Sequence, residues 1–357
     1  MNHAALRPTA SPPPALPVHI DSGDGWQKLG VIADGIGPDT GGASDEVTLF
    51  LTVDTEDSYF RRPHLMTGEG LGREHGVFAI ADELEARSFS GTFFVNVYES
   101  RRQPARSVER VVRELSERGH EVGLHTHPSP GLNLYTRPLF GLSGPQQRAI
   151  IRWGVEKIEQ WTGRPPISFR AGGYALNVDT LSALEANGIE IDSSVFYPSP
   201  NNRLERTSVN AVAVRGELIE VPISTVLRAN EDQELEHRKL DLDWLNSDQL
   251  LTGIEQVSRH GGEFGVFMMH SFSFIDKATR MPDETPSPEA LFKSEELFGR
   301  YVEIYGPKPS MRKAFAAFLD RVAADDSIRV RTLREALPEL REAAGRGLPD
   351  VVPVVAA

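Results

Sequence analysis

The sequence predicts an α/β fold in which parallel strands and helices alternate around one common mouth. From about residue 47 onward, short apolar runs typical of buried strands alternate with amphipathic segments of helical period. This alternation is typical of parallel βαβ units. Polar residues directly follow several of the apolar runs. A barrel-like arrangement explains that pattern best, because the active sites of α/β barrels lie at the carboxyl ends of their strands. An open, doubly wound sheet is the alternative.

The first part of this region predicts four strands and three helices. The helix behind Ser107 has the clearest pattern, because Val108, Val111 and Leu115 recur at helical spacing ahead of Gly119. The strands are predicted at residues 47–53, 92–97, 121–124 and 167–169, and the other two helices at 76–87 and from the candidate cap Ser143 to Gly163.

The second part of the region continues the alternation. Gly188 ends a helix predicted at 178–186, and Thr332 with Glu335 forms a capping-box candidate for the last helix. The remaining strands are predicted at 189–191, 265–269 and 328–330, and the remaining helices at 248–259 and around the apolar positions 315, 318, 319 and 322.

The predicted domain organisation is simple. Residues 1–45 are rich in Pro, Gly, Asp and Ser and predict an irregular N-terminal arm. Residues 46–342 are predicted to form one catalytic domain, and 343–357 a C-terminal tail. We find neither a secretory signal nor an apolar run long enough to span a membrane in the sequence, so we expect a cytoplasmic location.

Composition excludes several classes of function. The 357-residue chain carries a formal net charge of -13, which argues against nucleic acid as a partner because such proteins usually present a basic face. It contains no cysteine, so a thiolate nucleophile is excluded and any metal must be held by His, Asp or Glu.

The most informative motif is a pair of histidines, His125 and His127, at the end of the strand predicted at 121–124. Side chains of a strand alternate between its faces, so these two imidazoles are expected to point the same way. Two surface histidines in a loop would explain the motif equally well if it stood alone. Four other predicted strand ends also carry polar groups, however: they begin at Asp54, Arg170, Asp192 and His270.

Together these residues fit a hydrolytic site. Two imidazoles and one carboxylate leave coordination positions open for water, and zinc in such a site lowers the pKa of the water to about 7. A second carboxylate could act as general base, and His270 on another strand could protonate a leaving amine or alkoxide. Arg170 would hold the base ionised, and backbone N–H groups around Gly173 and Tyr174 could stabilise an oxyanion.

At this point the sequence resembles the NodB-type polysaccharide deacetylases, a metal-dependent family related to the carbohydrate esterases. The resemblance covers about residues 47–337 in order. It is carried by the stretches 52–57 (Thr-Val-Asp-Thr-Glu-Asp), 91–95, 119–127 (Gly-His-Glu-Val-Gly-Leu-His-Thr-His), 170–174, 220–222 (Glu-Val-Pro) and 267–270.

The resemblance implies a distorted (β/α) barrel of fewer than eight parallel strands. It also implies a bound divalent metal, for which Zn²⁺ is the first expectation. By matching position, it implies that Asp54 is the base and His270 the general acid. Arg170 would pair with the base, and Tyr174 would offer its backbone N–H to the oxyanion. The implied metal ligands are one acid of the first motif, either Glu56 or Asp57, and the imidazoles of His125 and His127.

The sequence departs from the family pattern at two points. The family usually separates its two histidines by three residues, whereas only Thr126 separates them here. The usual first motif has adjacent aspartates, but Asp54 is followed by Thr55. Strand alternation from Asp54 favours Glu56 over Asp57 as the acidic ligand.

The leading hypothesis is a hydrolase that removes an N-acyl group, chiefly N-acetyl, from an amino-sugar or polysaccharide-related substrate, using metal-activated water, an Asp base and a His acid. A hydrolase of a small non-sugar amide on the same fold is one alternative. A catalytically silent carbohydrate-binding relative is the other. The expected partner is thus a carbohydrate or another N-acylated small molecule, and the sequence leaves the oligomeric state open.

Overall fold

The computed structural model describes residues 46–57, 66–68, 75–101, 105–127, 138–204, 209–229, 235–259, 261–279, 303–346 and 354–355. The predicted arm at 1–45 lies outside the described residues, as does most of the predicted tail. Among the described helices, none combines the length and the apolar character that a membrane span requires.

The described elements alternate along the chain as predicted. The strands are β1 Val47–Thr55, β2 Thr92–Val95, β3 Glu121–Thr126, β4 Ser168–Ala171, β5 Ile191–Asp192, β6 Ala213–Arg215, β7 Leu218–Glu220, β8 Thr225–Ala229, β9 Leu235–Lys239, β10 Phe264–His270, β11 Ile275–Thr279, β12 Glu303–Pro307, β13 Ile328–Arg331 and β14 Val354–Val355. The helices are α1 Val77–Glu85, α2 Ala105–Glu117, α3 Gly144–Thr162, α4 Val178–Glu185, α5 Ser247–Arg259, α6 Pro309–Ala323 and α7 Leu337–Arg346.

A curled, mostly parallel sheet forms the centre of the domain. Its strand order is β10-β1-β2-β3-β4-β5-β7-β6, with β13 paired to the first half of β1. The run from β10 to β7 is parallel throughout, and only β6 is antiparallel to its neighbour. The predicted distorted α/β barrel is therefore confirmed, with seven strands in the continuous parallel run among the described residues.

Strand alternation gives the sheet an outer apolar face and an inner face that lines the lumen. Leu49, Leu51 and Val53 of β1 belong to the core that the sheet shares with most of the helices. The intervening residues face the lumen, where Phe50 lies in a second apolar cluster and Asp54 lies nearer the carboxyl end of the strand. The lumen is therefore apolar in its lower part and polar at its mouth, which places the candidate site.

Most element predictions are confirmed, with boundaries that shift by a few residues. The cap Ser143 opens α3 in a capping box with Gln146, and Gly163 ends it in a left-handed conformation. Strand β5 is shorter than predicted and begins at Ile191. Helix α7 continues through Arg346, beyond the predicted boundary at 342.

The prediction omitted the short strands β6 to β9, β11, β12 and β14. Within the described residues, β14-β8-β9 and β11-β12 form two small sheets beside the main one. The omitted strands have two to five residues each. Runs of that length provide too few positions for a periodic hydrophobic pattern.

Candidate metal centre and catalytic site

The side chains of Glu56, His125 and His127 come together at the mouth of the lumen. Their ligand atoms lie within 4.8 Å of one another, and all three residues are buried. Glu56 Oε2 is 2.6 Å from His127 Nε2 and 3.5 Å from His125 Nε2. Both imidazoles thus reach the same carboxylate, as strand alternation in β3 predicts. The single residue between the two histidines in the sequence, Thr126, therefore does not prevent their rings from meeting at one site.

The hydrogen bonding of His125 fits a metal ligand. Its Nδ1 lies 2.9 Å from the carbonyl oxygen of Arg170, and because a carbonyl only accepts, Nδ1 carries the proton. In the neutral ring, Nε2 then presents a lone pair toward the Glu56 carboxylate. Both groups are acceptors, so only a proton or a cation between them makes the contact favourable. Such a backbone bond to the second ring nitrogen is the usual support for a metal-binding histidine. The residues present therefore fit a divalent cation.

The contacts between Glu56 and the two histidines shift the pKa values of Glu56 and His125. Burial acts to raise the pKa of Glu56, but the interactions with His127 and His125 outweigh it and hold that pKa well below the usual range. Burial also acts to lower the pKa of His125, which Asp54 and Glu56 nevertheless raise. Glu56 is thus a carboxylate, the form a cation binds, over the whole neutral range.

Asp57 lies outside the group that Glu56 forms with the two histidines. Its Oδ1 accepts a hydrogen bond from the backbone N–H of Met66 at 2.7 Å. The structure therefore gives the two adjacent acids different surroundings, with Glu56 turned toward the imidazoles and Asp57 toward the segment that precedes α1.

Asp54 and Arg170 form a buried ion pair next to these ligands. Arg170 Nη1 donates to Asp54 Oδ1 at 2.8 Å and to Thr52 Oγ1 at 2.8 Å. The guanidinium is fully buried and stacks on Phe94, with 4.3 Å from its central carbon to the ring centroid. Burial acts to raise the pKa of Asp54, but Arg170, His125 and His270 outweigh it and lower that pKa.

His270 lies at the mouth at the end of β10, the strand that pairs with β1 on the side away from β2. Asp54 and His270 are register partners in the parallel pairing of β1 with β10. His270 Nε2 lies 4.0 Å from Glu56 Oε1. Burial lowers the pKa of His270 below its ordinary value, although Asp54 and Glu56 act to raise it. An imidazole on this strand end faces both carboxylates, so it can exchange a proton with groups that lie between them.

The turn after β4 carries Tyr174. Gly173 and Tyr174 both have a φ of 59°, which is uncommon for a residue with a side chain. Gly172 packs so closely on His127 that a Cβ atom there would lie 2.5 Å from the imidazole. The turn thereby supports a candidate ligand directly, a role that the sequence pattern did not indicate.

Sequence reasoning also missed Lys239 and Asp241. Lys239 Nζ donates to the Tyr174 hydroxyl at 3.2 Å and lies 3.6 Å from Asp241 Oδ2. Burial raises the pKa of Asp241 to about 7, although Lys239 acts to lower it. Lys239 also acts to lower the pKa of His270. Lys239 ends β9 and Asp241 follows it, and because this short strand has no buried apolar run, no pattern marked either residue as part of the mouth.

Comparison with known families agrees with this geometry. Residues 43–191 match the sequence profile of the polysaccharide deacetylase family. The predicted resemblance to the polysaccharide deacetylases is confirmed. The matched segment runs from β1 to β5 and contains Asp54, Glu56, the two histidines and Arg170. A search of curated proteins gives no significant match.

Several solved structures are similar to this chain at low sequence identity. A Mycobacterium smegmatis protein described as a polysaccharide deacetylase is 18% identical, with a TM-score of 0.51 over 89% of this chain and 95% of that one. Peptidoglycan deacetylase PdaC from Bacillus subtilis is 13% identical, with a TM-score of 0.41 over 83% and 92% of the two chains. A CE4 family pseudoenzyme from Bacillus anthracis is 12% identical, with a TM-score of 0.43 over 82% and 66% of the two chains. At these identities the similarity to the first structure shows the fold alone.

Proposed function

We propose that this chain is a metal-dependent hydrolase that removes an N-acetyl group from an amino-sugar unit of a polysaccharide-related substrate. The observation that carries the proposal is the triad of Glu56, His125 and His127 beside an ionised Asp54. The match to the polysaccharide deacetylase profile supports the carbohydrate class of the substrate.

In this proposal the triad holds one divalent cation of the zinc class. Such a cation, when bound, polarises an acyl oxygen and lowers the pKa of water. Glu56 supplies the anionic ligand, and the two imidazoles supply nitrogen ligands. The carbonyl of Arg170 fixes the tautomer of His125, so that Nε2 is the nitrogen available for coordination.

The remaining residues handle protons and charge. Asp54 takes the proton of the attacking water, and Arg170 keeps its carboxylate ionised and oriented. His270, on the neighbouring strand, delivers a proton to the leaving nitrogen. The backbone N–H of Tyr174 donates to the oxyanion that develops on the acyl oxygen. Of the five polar strand ends that the sequence predicted, these assignments use all but Asp192.

The test measures acetate release from a panel of N-acetylated sugars, oligosaccharides and small non-sugar amides. We expect release from the carbohydrates, abolition by a chelator and recovery with Zn²⁺ or Co²⁺. Asp54→Asn should lower kcat by about 10²–10⁴-fold while the protein still binds the metal, because it removes the base and spares the ligands. Glu56→Gln should lose both activity and metal.

Four outcomes would contradict the proposal. Acetate release from the non-sugar amides alone would show that the substrate is a small amide and not a carbohydrate. Stoichiometric metal without release from any substrate would favour a silent binding relative, as would failure to bind metal at all. Equal activity of Asp54→Asn and the wild type would remove Asp54 from the role of base.

A further inference from the structure

Two buried carboxyl groups lie together behind the candidate site, on its β5–β7 side. Asp192 ends β5 and Glu220 ends β7, and they are register partners in the parallel pairing of these strands. Their exposed fractions are 0% and 2%. No step of the proposed reaction uses either residue.

The contacts of this pair imply a shared proton. As register partners on adjacent parallel strands, Asp192 and Glu220 carry their side chains on the same face of the sheet. Asp192 Oδ2 and Glu220 Oε2 are buried and meet no N–H or O–H donor among the described residues. Ionised carboxylate oxygens only accept, so one of these two neighbours can donate to the other only if it carries a proton. In agreement, burial raises the pKa of Asp192 to about 6, and burial together with Asp192 raises the pKa of Glu220 well above its ordinary value.

The other oxygens of the pair hold the segment that follows β5. Asp192 Oδ1 accepts a hydrogen bond from Ser194 Oγ, which in turn accepts one from the backbone N–H of Ala171 at 2.8 Å. Glu220 Oε1 accepts the backbone N–H of Val195 at 2.9 Å. The pair therefore holds the chain at Ser194 and Val195, directly after Ser193.

Ser193, in the same segment, is a main support of Arg170. Its carbonyl accepts from Arg170 Nε at 2.9 Å, and its hydroxyl accepts from Arg170 Nη2 at 2.9 Å. The remaining described bonds of the guanidinium go to Thr52 and Asp54. A continuous set of short contacts thus leads from the carboxyl pair through Ser193 and Arg170 to Asp54.

We propose that Asp192 and Glu220 share one proton and act together as positioning residues, which hold Ser193 so that Arg170 presents its guanidinium to Asp54. The proposal rests on the proposed function of Asp54 as the base. With one proton the pair carries a single negative charge. Loss of that proton would place a second negative charge behind Arg170, in competition with Asp54.

Few other charges act on the pair. Arg170 is the charged group outside the pair that affects both carboxyls. The charged side chains on the flanking elements point to the surface and form ion pairs there: Glu190 and Glu217 with Arg341, and Arg215 with Glu185.

The first test concerns the proton and does not depend on catalysis. Glu220→Gln places an amide where the proton lies, since its oxygen can accept from Val195 and its NH₂ can donate to Asp192. We expect the infrared band of a protonated carboxylic acid at neutral pH to lose intensity in this variant. The fall in stability with rising pH should also become shallower, because a carboxyl with a raised pKa destabilises the fold as it ionises.

The second test concerns positioning. Glu220→Ala and Asp192→Ala should lower kcat by up to about 100-fold, the effect of a small misplacement in a catalytic group, with little change in KM or in affinity for Zn²⁺. Glu220→Gln should recover most of the loss. Glu121→Gln is the matched control, because Glu121 is another buried carboxyl but accepts from Thr92, Ser168 and Arg334 instead of supporting Arg170.

The outcomes separate the two proposals. If wild-type protein released no acetate but Glu220→Gln removed the infrared band and flattened the pH dependence, the proton would stand and the proposed function would fail. An unchanged band and slope in Glu220→Gln would overturn the shared proton. Equal loss of kcat in Glu220→Gln and Glu220→Ala, or the same loss in Glu121→Gln, would overturn the positioning role.

Discussion

Glu56 and Asp57 are adjacent acids whose surroundings differ at the level of single atoms. The carboxylate of Glu56 lies 2.6 Å from His127 Nε2, whereas Asp57 Oδ1 accepts the backbone N–H of Met66. A cation bound by Glu56, His125 and His127 would replace the proton that lies between the Glu56 carboxylate and the imidazoles. Asp57 would instead act on the segment before α1. The two acids are therefore expected to respond differently to the same isosteric change.

Glu56→Gln should weaken Zn²⁺ binding by more than the roughly 10–100-fold typical of changes outside the ligand sphere. Asp57→Asn should weaken it less, because its amide oxygen can still accept from Met66. Competition with a chelating dye measures both affinities. A larger loss in Asp57→Asn than in Glu56→Gln would assign the ligand role to Asp57.

At the scale of elements, the turn after β4 sets the position of the last ligand. Gly172 has the imidazole of His127 against its Cα, and an added Cβ would lie 2.5 Å from Nε2. Gly173 has a φ of 59° and open space around it, with the nearest atom 3.7 Å from an added Cβ. The two glycines are thus needed for different reasons, close approach in one case and backbone conformation in the other.

Gly172→Ala should displace the His127 imidazole and lower the affinity for Zn²⁺ by about 10–100-fold, as other losses of ligand support do. Gly173→Ala is the control: it should cost about 1 kcal/mol of folding stability through its left-handed backbone but leave the affinity nearly unchanged. Isothermal titration and thermal unfolding measure the two quantities. Wild-type affinity in Gly172→Ala would show that the turn does not support the ligand.

These elements also show what the sequence could predict. Strands β1, β3 and β10 were found because short apolar runs end in polar residues, and alternation then placed Asp54, His125 and His270 toward one mouth. The contact of Gly172 with His127 and the place of Lys239 could not be found in this way. Both depend on the path of a turn or a short strand, which tertiary packing decides and no hydrophobic period records.

For the whole molecule, buried carboxyls divide into two groups with opposite effects on stability. Asp54 and Glu56 have lowered pKa values, so they stabilise the fold above their ordinary pKa and that stabilisation is lost as pH falls. Burial raises the pKa values of a second group, which destabilises the fold as pH rises through the range from the ordinary to the raised value. This group consists of Glu121, Asp192, Glu220 and Asp241. The chelated protein should therefore be most stable at mildly acidic pH.

Asp241 gives the clearest test of this balance, because its pKa is raised from 3.8 to about 7 by burial. Between about pH 4 and 8, its ionisation should remove on the order of 2–4 kcal/mol of folding stability. The asparagine of Asp241→Asn cannot ionise, so the free energy of unfolding of this variant should depend less steeply on pH. This expectation concerns the slope alone, because the loss of the ion pair with Lys239 also changes the absolute stability. Urea unfolding at several pH values in the presence of a chelator measures the slope. Asp243→Asn, at an exposed neighbour whose charge helps to raise the pKa of Asp241, should flatten the slope much less than Asp241→Asn. If Asp241→Asn keeps the wild-type slope, Asp241 is already ionised in the folded protein and the charge of Lys239 outweighs its burial.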